Sequence, residues 1–182
     1  MALIGISSDP SLNGGTVIDF ESVSLQNFNM LSVGIVTFEV RDPSRHGVIS
    51  DAWSGQYNLA AGKYLTNYDS TGGSQFGQMF IGFSTPVTAF GFKLNYIGSA
   101  DGIHQMIAYG SGDQILESWL LPVVNGPATI NASYFFGIAW ATGIRRVLLH
   151  IDAHNAFAID NLTYVSRSIH HVPKPPHEVR IT

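Results

Sequence analysis

Two carboxylates stand two residues apart in the run Val17–Glu21. An extended strand repeats every second residue, so Asp19 and Glu21 fall on one side and Ile18 and Phe20 on the other. Like charges so placed repel unless a cation stands between them. Near the other end of the chain, Phe157, Ile159 and Leu162 anchor a strand that presents Asp160 and Asn161. These are hard oxygen donors of the kind Ca²⁺ prefers. If the first and last strands are neighbours, Glu21 and Asp160 can share one ion, completed by backbone carbonyls. Its role would be structural, tying the termini together and stabilising the fold by mass action. The plainer alternative is a solvated edge at Asp19 and Glu21, with Asp160-Asn161 as a turn that caps its own backbone.

A second constellation, His150, Asp152 and His154, puts two imidazoles and a carboxylate on one strand face, with about 7 Å per step. That spacing suits Zn²⁺ or an acid/base pair. Neither a further ligand from outside this run nor a nucleophile is signalled, so a polar strand face is the expectation and a sugar-hydrogen-bonding surface the alternative. Trp53, Tyr57, Tyr64 and Tyr68 are interspersed in the long polar stretch between Asp42 and Ser74, with Asn58, Asn67, Asp51 and Asp69 nearby. Their composition fits a stacking platform for sugar rings. Core packing is the competing account for aromatics, and Phe136, Ile138 and Trp140 alternate as core residues do. Glycoside hydrolysis would need two carboxylates about 5 to 10 Å apart. Asp51, Asp69 and Glu117 are available, but nothing pairs them. A nucleophile elbow, an EF-hand loop and a phosphate loop are all missing from the sequence.

The elements that must position these groups read as strands of about 5 to 9 residues separated by turn signals, the rhythm of a sandwich. They are expected near Thr16–Phe20, Val33–Val40, Gln78–Phe83, Val87–Tyr96, His104–Tyr109, Gln114–Leu121, Tyr134–Ala139, Arg145–Asp152 and Ala156–Val165. The Ser111-Gly112-Asp113 turn most plainly closes a hairpin, around which Ile107 and Tyr109 read as the apolar face. Charged residues make up 12% of the chain, with 19 glycines and 11 phenylalanines. That balance favours an all-β, turn-rich protein over a helical one. The net charge of -4 and the scattered basic residues exclude a nucleic-acid footprint. No stretch approaches the ~18 apolar residues of a membrane span. Met1–Ile6 is too short and lacks the basic flank of a signal peptide, so an exported protein would have lost its leader. Without cysteine the chain has neither disulfides nor thiolate chemistry. The expected organisation is one β-sandwich domain over 1–165 and an extended tail over 166–182, in which three prolines accompany His170, His171 and His177.

Five segments in order carry a family resemblance: Val17–Glu21, Ile81–Phe92, Phe135–Ala139, Gly143–Val147 and Phe157–Tyr164. Together they resemble the β-sandwich domain of bacterial exported proteins that carry a PEP-CTERM sorting signal. The resemblance implies a jelly roll of about nine or ten antiparallel strands in two sheets, similar to carbohydrate-binding modules and displayed at the cell surface or outside the cell. No apolar span with a basic end follows Tyr164, which departs from the sorting pattern. The expected function is a non-catalytic binding module with structural Ca²⁺ that recognises polysaccharide. The rivals are a self-assembling protein of matrix, filament or envelope, and a polysaccharide hydrolase.

Overall fold

The computed structural model describes residues 2–42, 44–52, 54, 62–67, 77–97, 104–121, 133–151 and 156–166. These hold twelve strands: β1 Ala2–Ile4, β2 Thr16–Ile18, β3 Gln26–Phe28, β4 Met30–Val33, β5 Val36–Glu39, β6 Gly47–Ser50, β7 Tyr64–Thr66, β8 Gln78–Ile97, β9 Gln105–Tyr109, β10 Ile115–Leu120, β11 Ser133–His150 and β12 Ala156–Ser166. The one helical element among the described residues is a 3₁₀ turn at Pro10–Leu12, capped by the Asp9 side chain.

The long strands β8 and β11 pair along their lengths, but the ladder slips in the middle. Ala139 pairs with Ala89, Ile144 with Val87 and Arg146 with Gly82, so each strand bulges in turn. The chemistry of the bulge is local. Pro86 has no N–H to give a ladder, and Gly143 has φ +106, where a Cβ would lie 2.9 Å from the Pro86 ring. Bulges bend a strand and increase its twist. Beyond the bend the two-stranded ribbon belongs to different neighbours. Its Gln78–Phe83 half pairs with β5, and the facing half of β11 pairs with β9. Its Val87–Ile97 half pairs with β12, and the facing half of β11 with β1. One hydrogen-bonded network is thereby doubled into an antiparallel two-sheet β-sandwich. The first sheet is β4-β5-β8-β11-β9-β10, and the second is built on β1, β11, β8, β12, β7, β6 and β3, with β2 on the outer edge of β12.

Phenylalanines fill the space between the sheets. Phe38 on β5 meets Phe20 after β2 at 5.6 Å between ring centroids, and Phe83 on β8 meets Tyr164 on β12 at 6.4 Å. A smaller cluster lies on the outer face of the second sheet, where Ile4 and Leu12 pack on Ala89, Phe135 and Val165. The N-terminal segment therefore covers part of that face.

The two-sheet class and the β9–β10 hairpin agree with the sequence expectation. Four details differ. Gln78–Phe83 with Val87–Tyr96, and Tyr134–Ala139 with Arg145–Asp152, are single bent strands rather than pairs. Val33–Val40 is a hairpin, because Gly34 at φ +60 starts a two-residue turn that brings Val33 against Val36. The Asp42–Ser74 stretch contains β6 and β7. On β9 the fully buried residues are Met106 and Ala108, and Ile107 and Tyr109 are half-buried.

Phe38 is fully buried, so Phe38→Ala is expected to cost about 3 to 5 kcal/mol. Met30→Ala, at a position 65% exposed, should change stability by less than about 0.5 kcal/mol. Urea unfolding of the two variants checks this.

Candidate functional site

The early strand β2 and the late strand β12 meet. β2 pairs antiparallel with β12, Ile18 opposite Leu162 and Thr16 opposite Tyr164. Gly15 allows the approach, because a Cβ there would lie 2.9 Å from the Tyr164 carbonyl and the Thr163 methyl. Ile18 and Phe20 turn into the core and leave Asp19 and Glu21 exposed, as the alternation requires. Phe20 has φ +63, a strained region for a bulky residue.

Each carboxylate at this seam has partners. Asp19 accepts from the Glu21 N–H at 3.1 Å. Glu21 Oε1 accepts from the Lys63 N–H at 2.8 Å, and the Lys63 ammonium donates to the carbonyls of Glu21 and Val23 at 2.9 and 2.8 Å. Gly62 is held at φ +123, which L side chains rarely adopt, and a Cβ there would displace the Glu21 carboxylate. Asp160 accepts from the Asn161 N–H at 2.7 Å and its side-chain amide at 3.0 Å, with Asn161 held at φ +50. Asp160 is only 5% exposed. Burial pushes its carboxyl above the ordinary carboxylate range; the Asn161 N–H and Lys93 draw it back, and Glu21 and Asp19 push it further up. Asp19, Glu21 and Asp160 thus lie within electrostatic reach of one another. Among the described residues no three His, Cys, Asp or Glu side chains converge as a metal-holding group. An ion here would have to draw most of its oxygens from carbonyls.

Beside the seam, on the outer face of the second sheet, is a cleft of about 640 Å³. Lys93 on β8 is directly opposite both Phe135 on β11 and Asp160 on β12, so all three share that face. The Phe135 ring lies over Gly91, where a Cβ would come within 2.6 Å of it. The turn after the 3₁₀ segment supplies Asn13 as the opposite wall, and Asn161 and Thr163 complete the polar rim, with Tyr134 at one end. The sequence reading missed Asn13, Lys93 and Phe135. They come together only through the β11-β8-β12 order, and the one available signal was Lys93, the single charged residue of β8.

The other sequence candidates separate. Tyr64 is 1% exposed and belongs to the core, so it offers no ring face to a sugar. Trp53, Tyr57 and Tyr68 lie outside the described residues, as do Asp69, Asp152, His154, His170, His171 and His177. His150 Nδ1 is 3.2 Å from the Gln78 side-chain amide. Asp51 is exposed after β6, and Glu117 bonds the neighbouring Ser118 N–H on β10, at the other end of the strand order.

No protein-family model matches the sequence, and no curated protein matches it. Solved structures do. The K2 cleaved adhesin domain of Lys-gingipain aligns over 83% of this chain and 99% of its own, with a TM-score of 0.54 and 12% identity. The fold is shared. Lower similarity is found to the CBM22-1 and GH10 modules of a Clostridium thermocellum endo-xylanase, over 80% of this chain and 28% of the other, with a TM-score of 0.42 and 10% identity. A family 6 carbohydrate-binding module aligns over 84% of this chain and 94% of its own, with a TM-score of 0.35 and 10% identity.

Two outcomes are expected at the seam. In chelator, the unfolded Asp160 ionises first as pH rises and the folded one later, so the native state loses stability up to the raised folded value and is then level. Asp160→Asn lacks this loss, and its stability relative to wild type should grow from acid to neutral pH in thermal melts. Gly62→Ala should destabilise by roughly 2 kcal/mol, through the positive φ and the displaced Glu21 carboxylate.

Proposed function

We propose that this chain is a non-catalytic, extracellular or cell-surface module that holds a polysaccharide in the cleft beside the seam, with a structural Ca²⁺ at the seam itself. The observation that carries the first part is the make-up of the cleft: an aromatic ring on a glycine floor, with amide, hydroxyl and ammonium groups around it. A ring face takes the apolar side of a pyranose while a few fixed polar groups read its hydroxyls. Its volume lies within the usual ligand range of about 300 to 1,000 Å³. The fold shared with an adhesin domain supports a binding role, and the resemblance to exported β-sandwich domains supports display outside the cytoplasm.

The Ca²⁺ rests on Asp160, a buried carboxylate under repulsion from Asp19 and Glu21. A divalent ion between Asp160 and Glu21 would relieve that repulsion, with Asn161 and seam carbonyls supplying further oxygens. Lys63 and Lys93 are the competing cations already in place.

A glycan array followed by affinity electrophoresis tests the cleft. Wild type should be retained by at least one neutral polysaccharide, and Phe135→Ala or Lys93→Ala should weaken that retention about tenfold, the loss of one polar or stacking contact. No retention, or retention unchanged in both variants, contradicts the reading. For the ion, Ca²⁺ at a hundred times its dissociation constant should add about 2.7 kcal/mol, a rise in Tm of roughly 5 to 10 °C for this size. Chelator and Asp160→Asn should each abolish the rise, and an unchanged Tm removes the ion. A self-assembling role is the second reading, favoured by exposed Met30, Ile115 and Leu120 on β4 and β10 at the edges of the first sheet. Growth of particle size with concentration in light scattering would select it.

A further inference from the structure

The outer face of the first sheet carries a second, chemically different site. Gly82 lies in the interior of β8, where glycine sacrifices conformational entropy and offers nothing to the packing. Most glycines of the long strands have a visible reason. Gly91 lies under Phe135, Gly137 against the Phe90 carbonyl and Gly143 at a positive φ. Gly82 has none of these, since a Cβ there would meet nothing nearer than the Thr37 carbonyl at 3.8 Å. Its missing side chain is instead the floor of an open trough of about 310 Å³.

The walls follow from the register. Thr37 on β5 is opposite Gly82, Gly82 is opposite Arg146 on β11, and Arg146 is opposite Tyr109 on β9, so all four share one row and one face. The Arg146 guanidinium is held by rings, 4.9 Å from the Tyr109 centroid and 5.2 Å from that of Phe80. Arg41 covers Phe80 at 4.1 Å. Arg145 closes the end of the trough, donating to the Ser84 carbonyl. Three of the nine lysines and arginines of a net-acidic chain are thereby gathered on one sheet face, where the sequence shows them scattered. Against them stand Glu39, bonded to Arg41 at 3.1 Å, and Asp113, 3.4 Å from Arg146. The Asp113 side chain is 66% exposed, so that pair is loose and easily exchanged.

A guanidinium held between two aromatic rings has fewer orientations to choose from, and the edge of a guanidinium recognises a carboxylate through two parallel hydrogen bonds. The trough beside it has the width left by a missing side chain, and a hydroxyl on its far wall. We propose that this trough binds the carboxylate-bearing residues of an acidic polysaccharide, the uronate carboxylate on Arg146 and the sugar ring over Gly82 next to Thr37. The site is separate from the cleft of the second sheet.

Isothermal titration calorimetry with an oligogalacturonate and with a neutral galacto-oligosaccharide of equal length tests the proposal. The acidic oligomer should bind and weaken as salt is raised, and the neutral one should bind at least about tenfold more weakly, having no charge for the guanidinium. Gly82→Leu fills the trough with a side chain the backbone accepts, so it should keep or raise Tm and lose binding by at least about tenfold. Arg146→Gln should lose binding to a similar extent. Phe135→Ala in the other cleft should leave acidic-oligomer binding unchanged. No binding of the acidic oligomer, equal binding of the neutral one, wild-type affinity in Gly82→Leu, or loss on Phe135→Ala in place of Gly82→Leu would each overturn it.

Discussion

Everything in this fold hangs on one bent ribbon. β8 and β11 pair over both halves of their length, yet the bulges around Pro86 and Gly143 turn the ribbon so that its halves serve different sheets. Without that turn, β5 and β12, which both pair with the same edge of β8, would continue one flat, two-sided sheet. With it, Phe38 and Phe83 face Phe20, Phe90 and Tyr164 across a closed core. A bend of this kind relies on the missing N–H of proline and the permissive φ of glycine, not on any single large apolar contact.

The two outer faces left by the bend differ in character. On the second sheet the N-terminal segment packs down, and its turn walls a cleft that ends at the paired termini. There the fold crowds three carboxylates, offers two lysines as partial answers, and sets both Phe20 and Asn161 at positive φ. Strain and buried charge are concentrated there at one place, which is why the proposed ion is put at the seam. On the first sheet the same bend exposes a row from Thr37 to Tyr109, with Arg41 and Arg146 close to aromatic rings. One face suits neutral hydroxyl chemistry and the other anionic chemistry.

The class of fold was readable because its signals are local: strand-length apolar runs, a Ser-Gly-Asp hairpin turn and low charge. The alternation at Ile18-Asp19-Phe20-Glu21 and the burial of Phe157, Ile159 and Leu162 could likewise be read directly. The pairing of the ends followed from them only as a condition, because antiparallel partners many residues apart leave no trace in either segment alone. The bend was misread as two gaps between strands, since a bulge and a loop share the same proline and glycine signals. The polar stretch around Tyr64 leaves a sugar platform and core packing both open, and its strand β7 is buried along its length. Lys63 and Asn13 were silent, because each matters only for what a distant strand puts beside it.

The claim at the centre of this account is that the outer face of the second sheet, beside the joined ends, is where polysaccharide is held. Amide chemical-shift mapping of the labelled protein during titration with the neutral oligosaccharide best retained from a glycan panel addresses it most directly. The expected result is a continuous patch of shifts over Asn13, Lys93, Phe135, Asn161 and Thr163. Shifts confined to other surfaces, or none at saturating oligosaccharide, would contradict it.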